Sequence, residues 1–81
     1  RISDFEKQQF IHLAQRYFGN QVKVYLFGSR VDDARKGGDI DLYVESPQPV
    51  DMEQKLNFLT DVEKSITTRK LDLLVKQPGS Q

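Results

Sequence analysis

Cysteine is absent from the sequence, and its absence excludes two kinds of stabilising element. A chain without thiols forms no disulfide framework and offers no thiolate ligand to a metal. The sequence also contains only one histidine, so a metal site in this chain would have to be built from oxygen donors. Carboxylate oxygens are the ligands that Mg²⁺ and Mn²⁺ prefer.

Net charge and long apolar runs are missing as well. Lys and Arg number 12 and Asp and Glu number 12, so the formal net charge is zero. The lack of a basic excess argues against strong nucleic-acid binding, although it does not exclude a local phosphate site. Apolar runs are a few residues long, far short of the roughly 20 that span a bilayer. With no apolar leader at the start, we expect a cytoplasmic protein that does not enter a membrane.

The length of 81 residues predicts one domain over residues 1–81, with 77–81 as a flexible tail. A chain of this size buries only a modest core and is marginally stable alone. A bound ligand or a partner chain would add stability by mass action. Self-association that covers an unpaired edge strand is another way to complete such a small fold.

Helix and strand signals alternate along the chain. Ser3 and Glu6 form a capping-box pattern, and Gly19 with Asn20 marks the end of the first helix. Asp51 is expected to cap a second long helix. Strands are predicted over 22–27, 39–44 and 70–75, with a short helix over 30–35. The expected apolar stripes consist of Phe10, Leu13, Ala14, Tyr17 and Phe18 in the first helix and Met52, Leu56, Leu59, Val62 and Ile66 in the second.

This order predicts an α/β fold of the α+β type, with a small mixed sheet and helices mainly on one face. Side chains alternate between the two faces of a strand. Asp39 and Asp41 therefore share the face opposite Ile40 and Leu42, and Asp72 lies opposite its apolar neighbours. If the third strand lies beside the second, the three carboxylates meet on the open face.

Three neighbouring carboxylates repel one another unless a cation is present. Two divalent metals held by shared carboxylates are a known arrangement for phosphoryl and nucleotidyl transfer. Gly28 and Ser29 end a strand before a predicted helix, where backbone N–H groups can bind phosphate, and Arg30 adds a positive charge. Taken singly, Gly28-Ser29 is an ordinary turn and the Asp residues form a solvated strand face. The combination favours the metal site.

The aromatic residues of the strands have two interpretations. Tyr25, Phe27 and Tyr43 could stack on a nucleobase, or they could pack against the rest of the protein. Aromatic side chains in strands usually pack, so packing is the prediction.

Phe27-Gly28-Ser29-Arg30, followed by Gly37-Gly38-Asp39-Ile40-Asp41-Leu42, resembles the signature of the DNA polymerase beta-type nucleotidyltransferase superfamily. That signature is Gly-Ser, a spacer, Asp-x-Asp and a third carboxylate on a later strand, which Asp72 matches. The short chain is most similar to the minimal nucleotidyltransferases, many of which are antitoxins paired with an all-helical HEPN ribonuclease.

The resemblance implies a role for each matching residue. Gly28, Ser29 and Arg30 would bind the nucleotide, and Asp39, Asp41 and Asp72 would be the catalytic, metal-binding residues. It implies two Mg²⁺ ions, with Mn²⁺ as the alternative, and ATP as substrate. The implied reaction is transfer of AMP to a hydroxyl acceptor, such as a tyrosine of a HEPN partner.

Two alternatives remain open. The chain could be a non-catalytic antitoxin that neutralises a HEPN partner by contact, although a pure binding module needs no complete set of carboxylates. It could also transfer nucleotides to a small molecule, as the aminoglycoside nucleotidyltransferases do. Those relatives carry an additional acceptor-binding domain that this sequence does not show.

Overall fold

The computed structural model describes residues 3–28 and 40–79. Among these residues no helix has both the length and the apolar character needed to cross a membrane. The predicted short helix over 30–35 lies outside the described residues. The elements are α1 (Asp4–Phe18), β1 (Lys23–Gly28), β2 (Ile40–Glu45), α2 (Met52–Ser65) and β3 (Leu71–Lys76).

The three strands form a mixed sheet with β2 in the centre. β1 pairs antiparallel with β2, and β3 pairs parallel with β2. A parallel pair needs a crossover connection, and α2 supplies it. The predicted small mixed sheet is therefore confirmed, although each strand begins and ends one residue later than predicted.

Both described helices begin with a capping box, as the sequence predicts. The Ser3 hydroxyl accepts a hydrogen bond from the backbone N–H of Glu6 at 3.1 Å, and the Asp51 carboxylate accepts one from that of Gln54 at 2.8 Å. In each box the reciprocal bond is also present: the side chains of Glu6 and Gln54 accept hydrogen bonds from the backbone N–H groups of Ser3 and Asp51. Gly19 caps the C-terminus of α1, and its φ of 106° is a conformation that favours glycine. These local signals fix where the helices start and where the first one stops.

The helices pack on one face of the sheet, where the core lies. The central strand contributes Ile40, Leu42 and Val44, which are almost completely buried. The alternating apolar residues of β1 and β3 complete the same layer. The core side chains are Phe10, Ala14, Phe18, Val22, Ile40, Leu42, Val44, Val50, Phe58 and Val62. The predicted alternation of buried and exposed positions is confirmed for all three strands.

The predicted apolar stripe of α2 is wrong in its first half. Met52 and Leu56 are 62% and 54% exposed, whereas Phe58 is fully buried. Leu56 and Phe58 differ by about 200° around a helix and cannot both face the core. Phe58 occupies it because its ring contacts the rings of Tyr17 and Phe18, with centroids 6.3 and 5.1 Å away. The second half of the stripe, including Val62, packs as predicted.

Two side-chain hydrogen bonds converge on Asp61 of α2, one from α1 and one from within α2. The Tyr17 hydroxyl donates to one carboxylate oxygen at 2.8 Å, and the Ser65 hydroxyl donates to the other at 2.7 Å. These two bonds hold the pKa of Asp61 below its ordinary value of 3.8, and the bond from Ser65 has the larger effect. The bond to Asp61, followed by burial, raises the pKa of Tyr17 above its ordinary 10.0. The cluster joins α1 to α2 through charge-assisted hydrogen bonds.

This cluster predicts that stability falls at both ends of the pH range. The contribution of Asp61 to the free energy of unfolding is fully present above pH 3.8, its ordinary pKa. That contribution is lost as the pH falls through the lowered pKa of the folded state. The contribution of Tyr17 to stability is fully present below pH 10.0, its ordinary pKa. It is lost as the pH rises through the raised pKa of the folded state. Tyr17→Phe should lower the melting temperature at neutral pH and flatten the alkaline decline. Melting curves across pH test this, with Tyr25→Phe as the control. An alkaline decline in Tyr17→Phe equal to that of the wild type would contradict the assignment.

Candidate functional site

The face of the sheet opposite the helices carries two of the three predicted carboxylates, Asp41 and Asp72. We call it the open face and define it by three rows of side chains that the strand register brings side by side. Its first row pairs the carboxylates with an aromatic residue, its second is aromatic and apolar, and its third is charged. The rows are Phe27, Asp41 and Asp72; Tyr25, Tyr43 and Leu74; and Lys23, Glu45 and Lys76.

Asp41 and Asp72 are direct neighbours across the parallel β2–β3 pair. Both are exposed, and both alternate with residues that face the core. Adjacent strands lie about 4.8 Å apart, so two carboxylates on one face at the same register lie side by side. Within residues 3–28 and 40–79 neither carboxylate has a hydrogen bond or an ion pair. The structure thus places two like charges together with no neutralising partner among the described residues.

A cavity of about 410 Å³ opens above this pair. Its lining includes both carboxylates and the aromatic side chains of Phe27 and Tyr43. That volume falls within the range of small-molecule sites, which combine apolar walls with a few polar groups. The first row therefore forms one side of a space large enough for part of a nucleotide.

Gly28, the one predicted phosphate-binding residue that the structure describes, lies at the same end of the sheet. Gly28 is the last residue of β1 and the register partner of Ile40, next to the pair formed by Phe27 and Asp41. The chain therefore leaves β1 beside the carboxylates. Ser29, Arg30 and Asp39 lie outside the described residues, so their predicted roles stay predictions.

The described residues contain part of the predicted donor set for a metal. No group of three or more His, Cys, Asp or Glu side chains able to hold a metal occurs within residues 3–28 and 40–79. The described part of the predicted set is the pair of Asp41 and Asp72, and Asp39 lies just before β2. Two adjacent, exposed carboxylates offer hard oxygen donors and unbalanced negative charge, which suits Mg²⁺ or Mn²⁺. The residues present fit the predicted cation.

The aromatic residues of the open face are more exposed than the sequence prediction implies. Phe27 is 55% exposed, so the prediction that it packs is wrong, whereas Tyr25, although 42% exposed, packs against Tyr43. Tyr25 and Tyr43 contact each other, with ring centroids 5.7 Å apart, but no layer of helix covers them among the described residues. Their alternation with Val24 and Leu26, which face the core, was the available signal.

A family model described as a nucleotidyltransferase domain matches residues 7–81 of the chain. The match spans both carboxylates, Gly28 and all three strands. Comparison with curated proteins and with solved structures gives no match.

Proposed function

The chain belongs to the nucleotidyltransferase domain family, and from that premise we propose that it is a metal-dependent enzyme that transfers AMP from ATP to a hydroxyl acceptor. The single observation that carries this proposal is the pairing of Asp41 with Asp72 on the open face. Two neighbouring carboxylates offer hard oxygen donors to one divalent cation, which supports a cation that binds there with the substrate.

In the proposed reaction, Asp41 and Asp72 would hold the metal together with Asp39. The cation would supply charge neutralisation of the triphosphate and of the leaving pyrophosphate. Gly28 and Ser29 would bind phosphate oxygens through backbone N–H groups. Asp72 would orient the acceptor hydroxyl and take up its proton as that oxygen attacks the α-phosphorus.

We infer that the acceptor is a tyrosine of a HEPN-type helical partner, with the chain acting as the antitoxin of the pair. The open face supports this, because its exposed aromatic and apolar residues suit contact with a protein surface. The same exposure supports the second candidate, a binding module that neutralises its partner by contact alone. The catalytic antitoxin needs the carboxylate pair to act on its partner, whereas the binding module does not.

Incubation of the chain with α-labelled ATP, Mg²⁺ and a candidate HEPN partner separates these functions. We expect the wild type to label the partner, and we expect no labelled partner when Mg²⁺ is chelated. Asp41→Asn should abolish labelling while the partner still binds, because the substitution keeps the shape of the side chain and removes its charge. Equal partner binding by both proteins with no label in any reaction would favour the binding module. Label on an added aminoglycoside instead of the partner would favour the small-molecule alternative.

A further inference from the structure

The three tyrosines of the chain lie in two different environments. Tyr17 is part of the helix layer, and its hydroxyl donates to Asp61. Tyr25 and Tyr43 lie on the open face, and within the described residues neither hydroxyl has a hydrogen-bond partner. Two phenol groups that have no hydrogen-bond partner among the described residues are thus on the same side of the sheet as the carboxylate pair.

Tyr43 is the tyrosine that shares the cavity of the carboxylates. It follows Asp41 by two residues on β2, so the two side chains lie on the same face. Alternate residues of a strand are about 6.6 Å apart, a distance that a tyrosine side chain can span. Tyr43, Asp41 and Asp72 line one cavity. Tyr43 therefore shares with both carboxylates the space in which a nucleotide would bind.

Tyr43 is also better placed than Tyr25 to react with a nucleotide bound at the carboxylates. Of the side chains that define the open face, only Tyr25 and Tyr43 carry a hydroxyl. Tyr25 lies on β1, one strand farther from Asp72 than Tyr43 does, and it is not part of the cavity lining. The first nucleophile that a nucleotide bound above the carboxylates would meet on this face is Tyr43.

We propose that the chain transfers a nucleotidyl group to its own Tyr43, an inference that rests on the proposed function. The Tyr43 oxygen forms a bond to the α-phosphorus of ATP, and the bond between that phosphorus and the bridging oxygen to the β-phosphate breaks. Pyrophosphate leaves, and the phenolic proton passes to Asp72. The product is a phosphodiester between Tyr43 and AMP. Because the adduct would occupy the cavity lined by Asp41 and Asp72, it would also block the site.

Peptide mapping after incubation of the full chain with ATP and Mg²⁺ tests the proposal directly. Trypsin cleaves after Lys and Arg, which puts the three tyrosines in separate peptides, 17–23, 24–30 and 37–55. We expect the mass of one adenylyl group on peptide 37–55, located on Tyr43 by fragmentation. Tyr43→Phe should lose the adduct, whereas Tyr25→Phe, the matched substitution in the same row, should keep it. Circular dichroism of both variants checks that they fold.

Pyrophosphate release and labelling of the candidate partner, measured in parallel reactions, distinguish the two possible failures. Release that depends on Asp72, or label on the partner, with peptide 37–55 unmodified would overturn the Tyr43 proposal and leave the proposed function standing. An adduct on Tyr17 or Tyr25 instead of Tyr43 would also overturn it. Neither pyrophosphate nor label in any reaction would overturn both. An adduct that persists in Tyr43→Phe would show that another group is the acceptor.

Discussion

Asp72→Asn is expected to lower the rate of nucleotidyl transfer by about 10²- to 10⁴-fold, the range typical for loss of a positioned general base. The substitution keeps the size of the side chain and its place beside Asp41, but it removes the charge and the proton acceptor. The loss should appear in kcat. Binding of ATP with Mg²⁺ should fall less, because Asp39, Asp41 and the Gly28-Ser29 segment would remain. Single-turnover rates, with nucleotide binding measured separately, test this expectation.

Glu45→Gln is the matched control for this prediction. Glu45 lies on the same face of β2, two rows from the carboxylate pair and between Lys23 and Lys76. It is outside the lining of the cavity above Asp41 and Asp72. Its neutralisation should leave the rate near the wild-type value. If both variants lost activity to the same degree, the general negative charge of the open face would be responsible, and the specific role of Asp72 would be wrong.

The sequence predicted the carboxylate pair because strand periodicity is a strong local signal. An Asp between apolar neighbours, as Asp72 is between Leu71 and Leu73, can face only away from the core. What periodicity cannot give is the pairing partner of each strand. The structure supplies it: β3 lies parallel to β2, in the register that sets Asp72 opposite Asp41. The predicted meeting of these two residues depended on that adjacency.

The errors arose where a tertiary contact decides between local alternatives. Several faces of α2 carry apolar residues, so periodicity allowed a stripe through Met52 and Leu56. The ring contacts of Phe58 with α1 select a different face, which Phe58 and Val62 share at a spacing of four residues. The exposure of Tyr25 and Phe27 has a similar cause. It depends on which face of the sheet the helices cover, which is a property of the whole fold.

Phe58→Ala is expected to destabilise the fold by about 3–5 kcal/mol, the usual cost of removing a buried aromatic side chain. Phe58 is fully buried and joins α2 to the rings of Tyr17 and Phe18 on α1. Small domains have only about 5–15 kcal/mol of total stability, so much of it would be lost. Urea denaturation measures the change, and the variant should show a lower midpoint with a slope similar to that of the wild type.

Leu56→Ala, two residues earlier on the same helix, is the control that separates the structure from the sequence prediction. Because Leu56 is 54% exposed, its truncation should change stability by no more than about 0.5 kcal/mol. If Leu56→Ala instead cost as much as Phe58→Ala, α2 would be rotated toward the stripe that the sequence predicted. Such a rotation would move the core contacts that support β2 and β3. The alignment of Asp41 with Asp72 depends on those two strands, so the chemistry of the open face depends on how the buried face is packed.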